Sequence, residues 1–310
     1  MTDRPLAAEI ALHSFDRILV PLDGSKLSEG AFHLVRWFVE RQQADVKLLT
    51  VLSSQEDWTD NPVEETCDYL DWRRRALAEF GSRVRYAIRV GDPADEILAE
   101  SDSSEPDLIV MATHARRGLD RWRHGSVTER VIRGARVPVL AANPTGLEES
   151  DKPRLLRLGR ILVPLDGSAR ATEILPPVAE LARLYHSVVT LLHVQAPIVV
   201  PSMIPVEVGS ARDTGRPILE PWREALAAAG AHAVTRTIVG SAPAEILRIA
   251  NEESYDLVAL TTHGRSGFAR FMLGSIAEHT LRQCRCPVLL KRTVPAPSPV
   301  SIEPAELSDN

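Results

Sequence analysis

Short runs of apolar residues alternate along this chain with segments whose apolar positions recur every three or four residues. In the first half the runs are Ile18–Leu22, Val46–Leu52, Val84–Val90, Asp107–Thr113 and Val137–Ala142. Several are apolar almost throughout, the pattern of strands covered on both faces. Between the first two, Ala31, Leu34, Val35, Phe38 and Val39 are spaced as one stripe of a helix. Strand and helix alternating five times predict a doubly wound α/β domain with a mainly parallel five-stranded sheet.

The pattern then repeats. Ile18-Leu-Val-Pro-Leu-Asp-Gly-Ser25 recurs letter for letter as Ile161–Ser168, and the same offset of 143 carries Leu48–Val51 onto Leu191–Val194. Later landmarks recur at an offset of 149: Asp107 with Asp256, Thr113-His114 with Thr262-His263, Gly125-Ser126 with Gly274-Ser275 and Pro138 with Pro287. The second copy therefore carries six extra residues between Val194 and Glu220, where Pro197, Pro201, Pro205 and Gly209 predict a loop. Its first helical stripe meets Pro176 and Pro177, which predict a kink or a first helical turn. The expected organisation is a first domain at 1–147, a polar linker at 148–158, a second domain at 159–292 and a disordered tail at 293–310, rich in proline and acid.

Composition narrows the function classes. The 310 residues, 44% hydrophobic and 25% charged, are those of an ordinary globular chain long enough for two domains. A formal net charge of −6 sets nucleic acid aside as a main partner. Cys67, Cys284 and Cys286 form no paired framework, so the cytoplasm is the expected compartment. The start, Met1–Phe15, is broken by Asp3, Arg4, Pro5, Glu9 and His13, and the most apolar stretch, Val188–Val206, contains His193, Gln195 and three prolines. Neither an export signal nor a membrane span is expected.

Two repeated elements fall on turns. Asp23-Gly24-Ser25 and Asp166-Gly167-Ser168 follow the first strand of each copy, where ligands of open parallel sheets collect. The Asp can accept hydrogen bonds from a ligand, or Asp or Ser can cap the next helix. After the fourth strand of the second copy, Gly264 and Gly267 permit close approach of a ligand, and Gly274-Ser275 opens a helix whose free N–H groups attract anions. The same residues predict a capping box, Ser275 with Glu278 and Ser126 with Glu129. Capping and phosphate contact are compatible.

With these residues in view, the chain resembles the universal stress protein family, as a tandem pair spanning Phe15–Arg292. ATP-binding members of that family carry, after the fourth strand, Gly, two residues, Gly, nine residues, then Gly-Ser or Gly-Thr, and an Asp ending the first strand. Here Gly264, the nine residues Arg265–Leu273 and Gly274-Ser275 match, while Thr261 stands at the first glycine and the first copy has Ala112 and Ala115 at both. The resemblance implies two Rossmann-like domains, similar to adenine nucleotide alpha hydrolases, and adenine nucleotide as ligand: ATP, with AMP or ADP as alternatives and Mg accompanying ATP. It places Pro164, Leu165 and Asp166 at the nucleoside, backbone groups of Val194 at adenine, Leu260, Thr261 and Gly264 along ribose and phosphates, and Gly274, Ser275 and Ile276 at phosphate. The matching first-copy residues are Pro21, Leu22, Asp23, Val51, Met111, Ala112, Ala115, Gly125, Ser126 and Val127, where the alanines count against a nucleotide and Arg116, Arg117, Arg121 and Arg123 add charge.

The function expected is regulation or sensing in a stress response, without dedicated catalysis; the rival is a nucleotide-independent dimerisation or docking module of the same fold. His114 and His263 read as residues orienting a turn in preference to a general base, and Cys284-Arg-Cys286 as core in preference to a metal site. The resemblance further implies an intrachain pseudo-dimer with the fifth-strand edges, Val137–Ala142 and Pro287–Lys291, facing each other, and leaves open a homodimer and protein partners. The glycine difference favours the second domain as the tighter site.

Overall fold

The apolar runs form strands and the periodic segments form helices. The structure is a computed structural model that describes residues 10–11, 13–25, 28–52, 62–113, 127–142, 158–197, 215–263 and 273–293. The first half runs β1 (Arg17–Pro21), α1 (Gly30–Gln42), β2 (Asp45–Leu52), α2 (Pro62–Ala78), β3 (Val84–Val90), α3 (Pro93–Ser104), β4 (Leu108–Ala112), α4 (Val127–Gly134) and β5 (Val139–Ala142). The second runs β6 (Arg160–Pro164), a 3-10 turn (Ala171–Ile174), α5 (Leu175–Tyr185), β7 (Val188–Gln195), α6 (Arg216–Ala228), β8 (His232–Val239), α7 (Ala242–Glu252), β9 (Leu257–Thr261), α8 (Ser275–Gln283) and β10 (Val288–Lys291). The expected linker at 148–158 except Leu158, the expected tail at 293–310 except Thr293, and residues 198–214 of the stretch that holds the insertion lie outside the described residues.

Local choices follow the sequence. All five residues of the α1 stripe are buried, with Trp37 beside them. Pro176 and Pro177 open α5 within its first turn, where proline loses no helical hydrogen bond, and the 3-10 turn delivers the chain to them. Asp92 caps α3, its side chain accepting from the amides of Ala94 and Asp95. Among the described residues no helix is long and apolar enough to cross a membrane.

Each half is a parallel sheet with strand order 3-2-1-4-5, and the two join in one ten-stranded sheet, β3-β2-β1-β4-β5-β10-β9-β6-β7-β8. The join is antiparallel: Ala141, Leu140 and Val139 of β5 oppose Val288, Leu289 and Leu290 of β10. The fifth-strand edges thus hydrogen-bond directly and face no solvent. Further contacts brace the seam. The Tyr185 hydroxyl donates to the Trp37 carbonyl, and Arg292 Nη1 donates to the Gly134 carbonyl at the end of α4 (3.2 Å). One apolar core, around Phe38, Leu48, Val163 and Leu191, covers one face of the whole sheet, and another, around Ile109, Ile132, Leu192 and Ile246, covers the other. Cys284 belongs to the second core with Cys286 packed against it, their sulfurs 3.3 Å apart.

The halves differ at the buried carboxylate of Glu100. The Glu100 side chain, 1% exposed, lies between Lys47 and Arg89, and Arg89 Nε donates to its Oε2 (2.6 Å). Burial pushes the Glu100 carboxyl pKa up, but hydrogen bonds and charges of Lys47 and Arg89 outweigh it and hold the pKa below its ordinary value. By the repeat offsets, Thr190, Ile249 and Ile238 occupy these places in the second half, where Ile249 is core and Thr190 accepts a hydrogen bond from Tyr255 (3.0 Å). Glu100→Gln should cost about 1–3 kcal/mol at pH 7, because hydrogen bonds to a charged group are lost while Lys47 and Arg89 stay partly solvated. A carboxylate with a depressed folded pKa contributes stability above its unfolded pKa of about 4.3 and loses it as pH falls through the folded value. Urea titrations should therefore show the gap between wild type and variant closing below about pH 4; a gap that persists unchanged would contradict the charge argument.

Candidate functional site

The strand order reverses between β1 and β4 and again between β6 and β9, so a crevice forms outside the carboxyl ends of those strands in each half. In the second half the Leu165 amide donates to the Leu192 carbonyl (2.8 Å), carrying the ladder one residue beyond β6. The chain then turns. Asp166 Oδ1 accepts from the Ser168 amide (2.9 Å) and hydroxyl (2.6 Å), Gly167 takes φ +84°, and Ser168 Oγ accepts from the Ala171 amide (3.2 Å) at the 3-10 turn. The first half repeats this turn with Asp23, Gly24 at φ +73° and Ser25, whose Oγ accepts from the Ser28 amide (3.1 Å). The letter-for-letter repeat of Asp-Gly-Ser is thus a backbone requirement: an acceptor, a left-handed residue and a hydroxyl that receives the amide three residues on. Neither residue is a helix N-cap, since Glu29, Arg170 and Ile174 stand there and no side chain caps those helices; the Asp and Ser side chains close the turn itself, which also presents the Asp at the crevice.

A cavity of about 250 Å³ occupies the second crevice. Its walls include Pro164, Leu165 and Asp166 after β6, Val194 of β7, Leu260 and Thr261 of β9, and Gly274, Ser275 and Ile276 at the start of α8. Gly264 lies outside the described residues. A matching cavity of about 240 Å³ in the first half is walled by Pro21, Leu22, Asp23, Val51, Met111, Ala112 and Val127. Ala115, Gly125 and Ser126 lie outside the described residues, as do His114 and Arg116 to Arg123. Both cavities fall just below the usual ~300–1,000 Å³ of small-molecule pockets, a size that suits a flat apolar group whose polar tail continues outside.

One wall was not anticipated from sequence. Ala242 and Ile246 of α7 close the second cavity, and Pro93 and Ile97 of α3 close the first. Their signal is the matched offset of 149 between Ile97 and Ile246, each near the start of the helix after the third strand of its copy. The cavities also differ in detail: Ser28 and Thr128 line the first where Ala171 and Ala277 line the second.

The start of α8 departs from the expected capping box. Gly274, not Ser275, is the N-cap residue, and no side chain caps the helix. The helix begins one residue earlier than the box requires, so Ser275 is its first residue and Glu278 its fourth; the Gly274 amide donates to the Thr262 carbonyl (2.9 Å), and Glu278 pairs with Arg282 (2.5 Å). Ser275 is consequently an exposed first helical residue, its hydroxyl beside the free N–H groups of the first turn. In the first half Glu129 likewise pairs with Arg133 (3.0 Å). His263 serves the turn after β9: its carbonyl accepts from Thr261 Oγ1 (3.1 Å), and its Nδ1 lies 3.1 Å from Thr262 Oγ1.

Gly274 is fixed by this close approach. A Cβ there would lie 2.6 Å from the Thr262 carbonyl oxygen, a backbone atom that cannot swing aside. Gly274→Ala should therefore destabilise the protein by about 1–3 kcal/mol through overpacking, read as a lowered midpoint in thermal melts. A midpoint equal to wild type would show that α8 can back away from β9 freely.

Comparison with known proteins bears on what this geometry belongs to. The model of the family described as "Universal stress protein family" matches the chain twice, over residues 14–143 and 158–292. A universal stress protein of Mycobacterium tuberculosis is 26% identical over 299 residues, covering 89% of this chain and 96% of its own length. One from Methanocaldococcus jannaschii is 32% identical over 137 residues, covering 41% of this chain and 81% of its own. The crystal structure of a universal stress protein from Archaeoglobus fulgidus superposes with a TM-score of 0.68 at 19% identity, over 91% of this chain and 97% of that one, and so shares the fold. Two matches, each spanning one five-stranded half and its crevice, place the chain in the universal stress protein family as a tandem member.

Proposed function

We propose that this protein binds an adenine nucleotide, ATP foremost, in the second cavity and acts as a cytoplasmic regulator or sensor in a stress response without dedicated catalysis. The observation that carries the reading is the pairing, within one crevice, of an apolar cavity of about 250 Å³ with the α8 N-terminus, where Gly274 brings the chain close and Ser275 offers an exposed hydroxyl. A base and sugar suit the cavity walls of Leu165, Val194 and Ile276, with the Asp166 carboxylate at the sugar hydroxyls. Phosphates suit the helix start, whose dipole and free amides contribute about 0.3–1 kcal/mol toward a nearby anion. The first cavity is the weaker site in this reading. It has Ala115 where the second domain has Gly264, and its Asp23 is exposed where Asp166 is half-buried.

Titration calorimetry of the full chain with ATP tests the proposal. Asp166→Asn keeps an oxygen acceptor for the Ser168 turn while removing the charge, and should weaken ATP binding about tenfold, the scale of a hydrogen bond to a charged group. Asp23→Asn should leave the tighter binding phase unchanged. ATP that fails to bind the wild type would refute the nucleotide reading and favour the docking module. Hydrolysis by pure protein should stay far below the enzyme median of about 10 per second; turnover at that rate would refute the non-catalytic part.

A further inference from the structure

The cavity wall at Leu165 is held from behind by a residue that lines neither cavity. Along β7, Leu192 and Val194 face the second cavity, so the intervening His193 points to the opposite face of the sheet. It is 6% exposed there, and its Nδ1 lies 2.8 Å from the Leu165 carbonyl oxygen. A carbonyl only accepts, so Nδ1 carries the proton and donates. Leu165 is therefore bonded through both its peptide groups: its amide to the Leu192 carbonyl at 2.8 Å and its carbonyl to His193. Asp166 follows immediately, with its own side chain committed to the Ser168 turn.

The first domain keeps every part of this arrangement except the clamp. The Leu22 amide donates to the Leu49 carbonyl (2.8 Å), and Asp23 makes the same turn with Ser25. At the position matching His193, however, stands Thr50, which is buried and whose Oγ1 finds no hydrogen-bond partner among the described residues. The two cavities are close in volume and share their Pro-Leu-Asp wall, so this clamp is a physical difference between them that does not touch a ligand.

We propose that His193 is a positioning residue of the second cavity: its Nδ1–H bond to the Leu165 carbonyl fixes the Pro164–Asp166 wall against which the ligand seats. The proposal rests on the nucleotide reading of that cavity and adds a residue to it. A rigid wall raises affinity by removing the cost of ordering it on binding.

The test compares two side chains of similar size in the full chain. His193→Asn retains an N–H donor at the same number of bonds from the backbone as Nδ1, whereas His193→Leu retains bulk without a donor. With ATP as the probe in calorimetry, the Leu variant should bind about five- to tenfold more weakly, the scale of one hydrogen bond, and the Asn variant within about threefold of wild type. Thermal melts of both report folding. Should the Leu variant fail to fold, His193→Thr replaces it, since threonine occupies this position in the first domain. Rescue by Asn but not by Leu or Thr supports the clamp. Equal weakening in Asn and Leu variants would assign the effect to ring packing and overturn it, as would a Leu variant that binds like wild type. Wild-type protein that binds no ATP would overturn the nucleotide reading itself, an outcome distinct from both.

Discussion

The antiparallel pairing of β5 with β10 is the contact on which the architecture depends. Each half ends its sheet in a four-residue strand, buried along Val139–Ala142 and almost so along Val288–Lys291. An apolar edge of that kind, left open, would pair with another chain. Joining the two edges within one molecule satisfies both sets of backbone groups and merges the cores on each face into continuous layers. Because the join is antiparallel, the carboxyl ends of the two half-sheets point to opposite edges of the ten-stranded sheet, and the two crevices open on opposite sides. Trp37 with Tyr185 and Arg292 with the end of α4 reinforce the same seam from the helical layers.

Within each crevice the scaffold and the candidate site use the same atoms. Asp166 holds a turn and faces the cavity; Gly274 permits α8 to start against the β9 end and leaves its first-turn amides open. A residue with two such duties makes a poor single-mutation probe, since Asp→Ala removes the turn together with any ligand contact. The conservative variants Asp166→Asn and His193→Asn separate the duties, because each preserves the hydrogen bond that the fold uses.

Much of this was legible in the chain. Fully apolar runs such as Leu108–Ala112 and the α1 stripe report burial directly, and the repeat doubles the signal by giving each element a partner of known offset. The turns after the first strands were legible because they carry Asp, Gly and Ser for definable backbone reasons. What stayed hidden depends on three-dimensional neighbours. The capping box at Ser275 fails because Gly274, held against the Thr262 carbonyl, becomes the N-cap and puts Ser275 inside the helix. The α7 and α3 walls come from helices whose cavity-facing residues look like ordinary core, and the His193 clamp spans 28 residues with no local pattern. Joint replacement of the Lys47–Glu100–Arg89 cluster by Thr190, Ile249 and Ile238 was likewise visible only once the strands and helix were placed together.

A crystal structure of the full chain grown with saturating ATP is the most direct test of the proposed nucleotide site in the second crevice. The adenosine is expected among Leu165, Asp166, Val194 and Ile276, with its phosphates at Gly274 and Ser275 on the α8 N-terminus. ATP bound elsewhere, or absent from this crevice at saturating concentration, would contradict it.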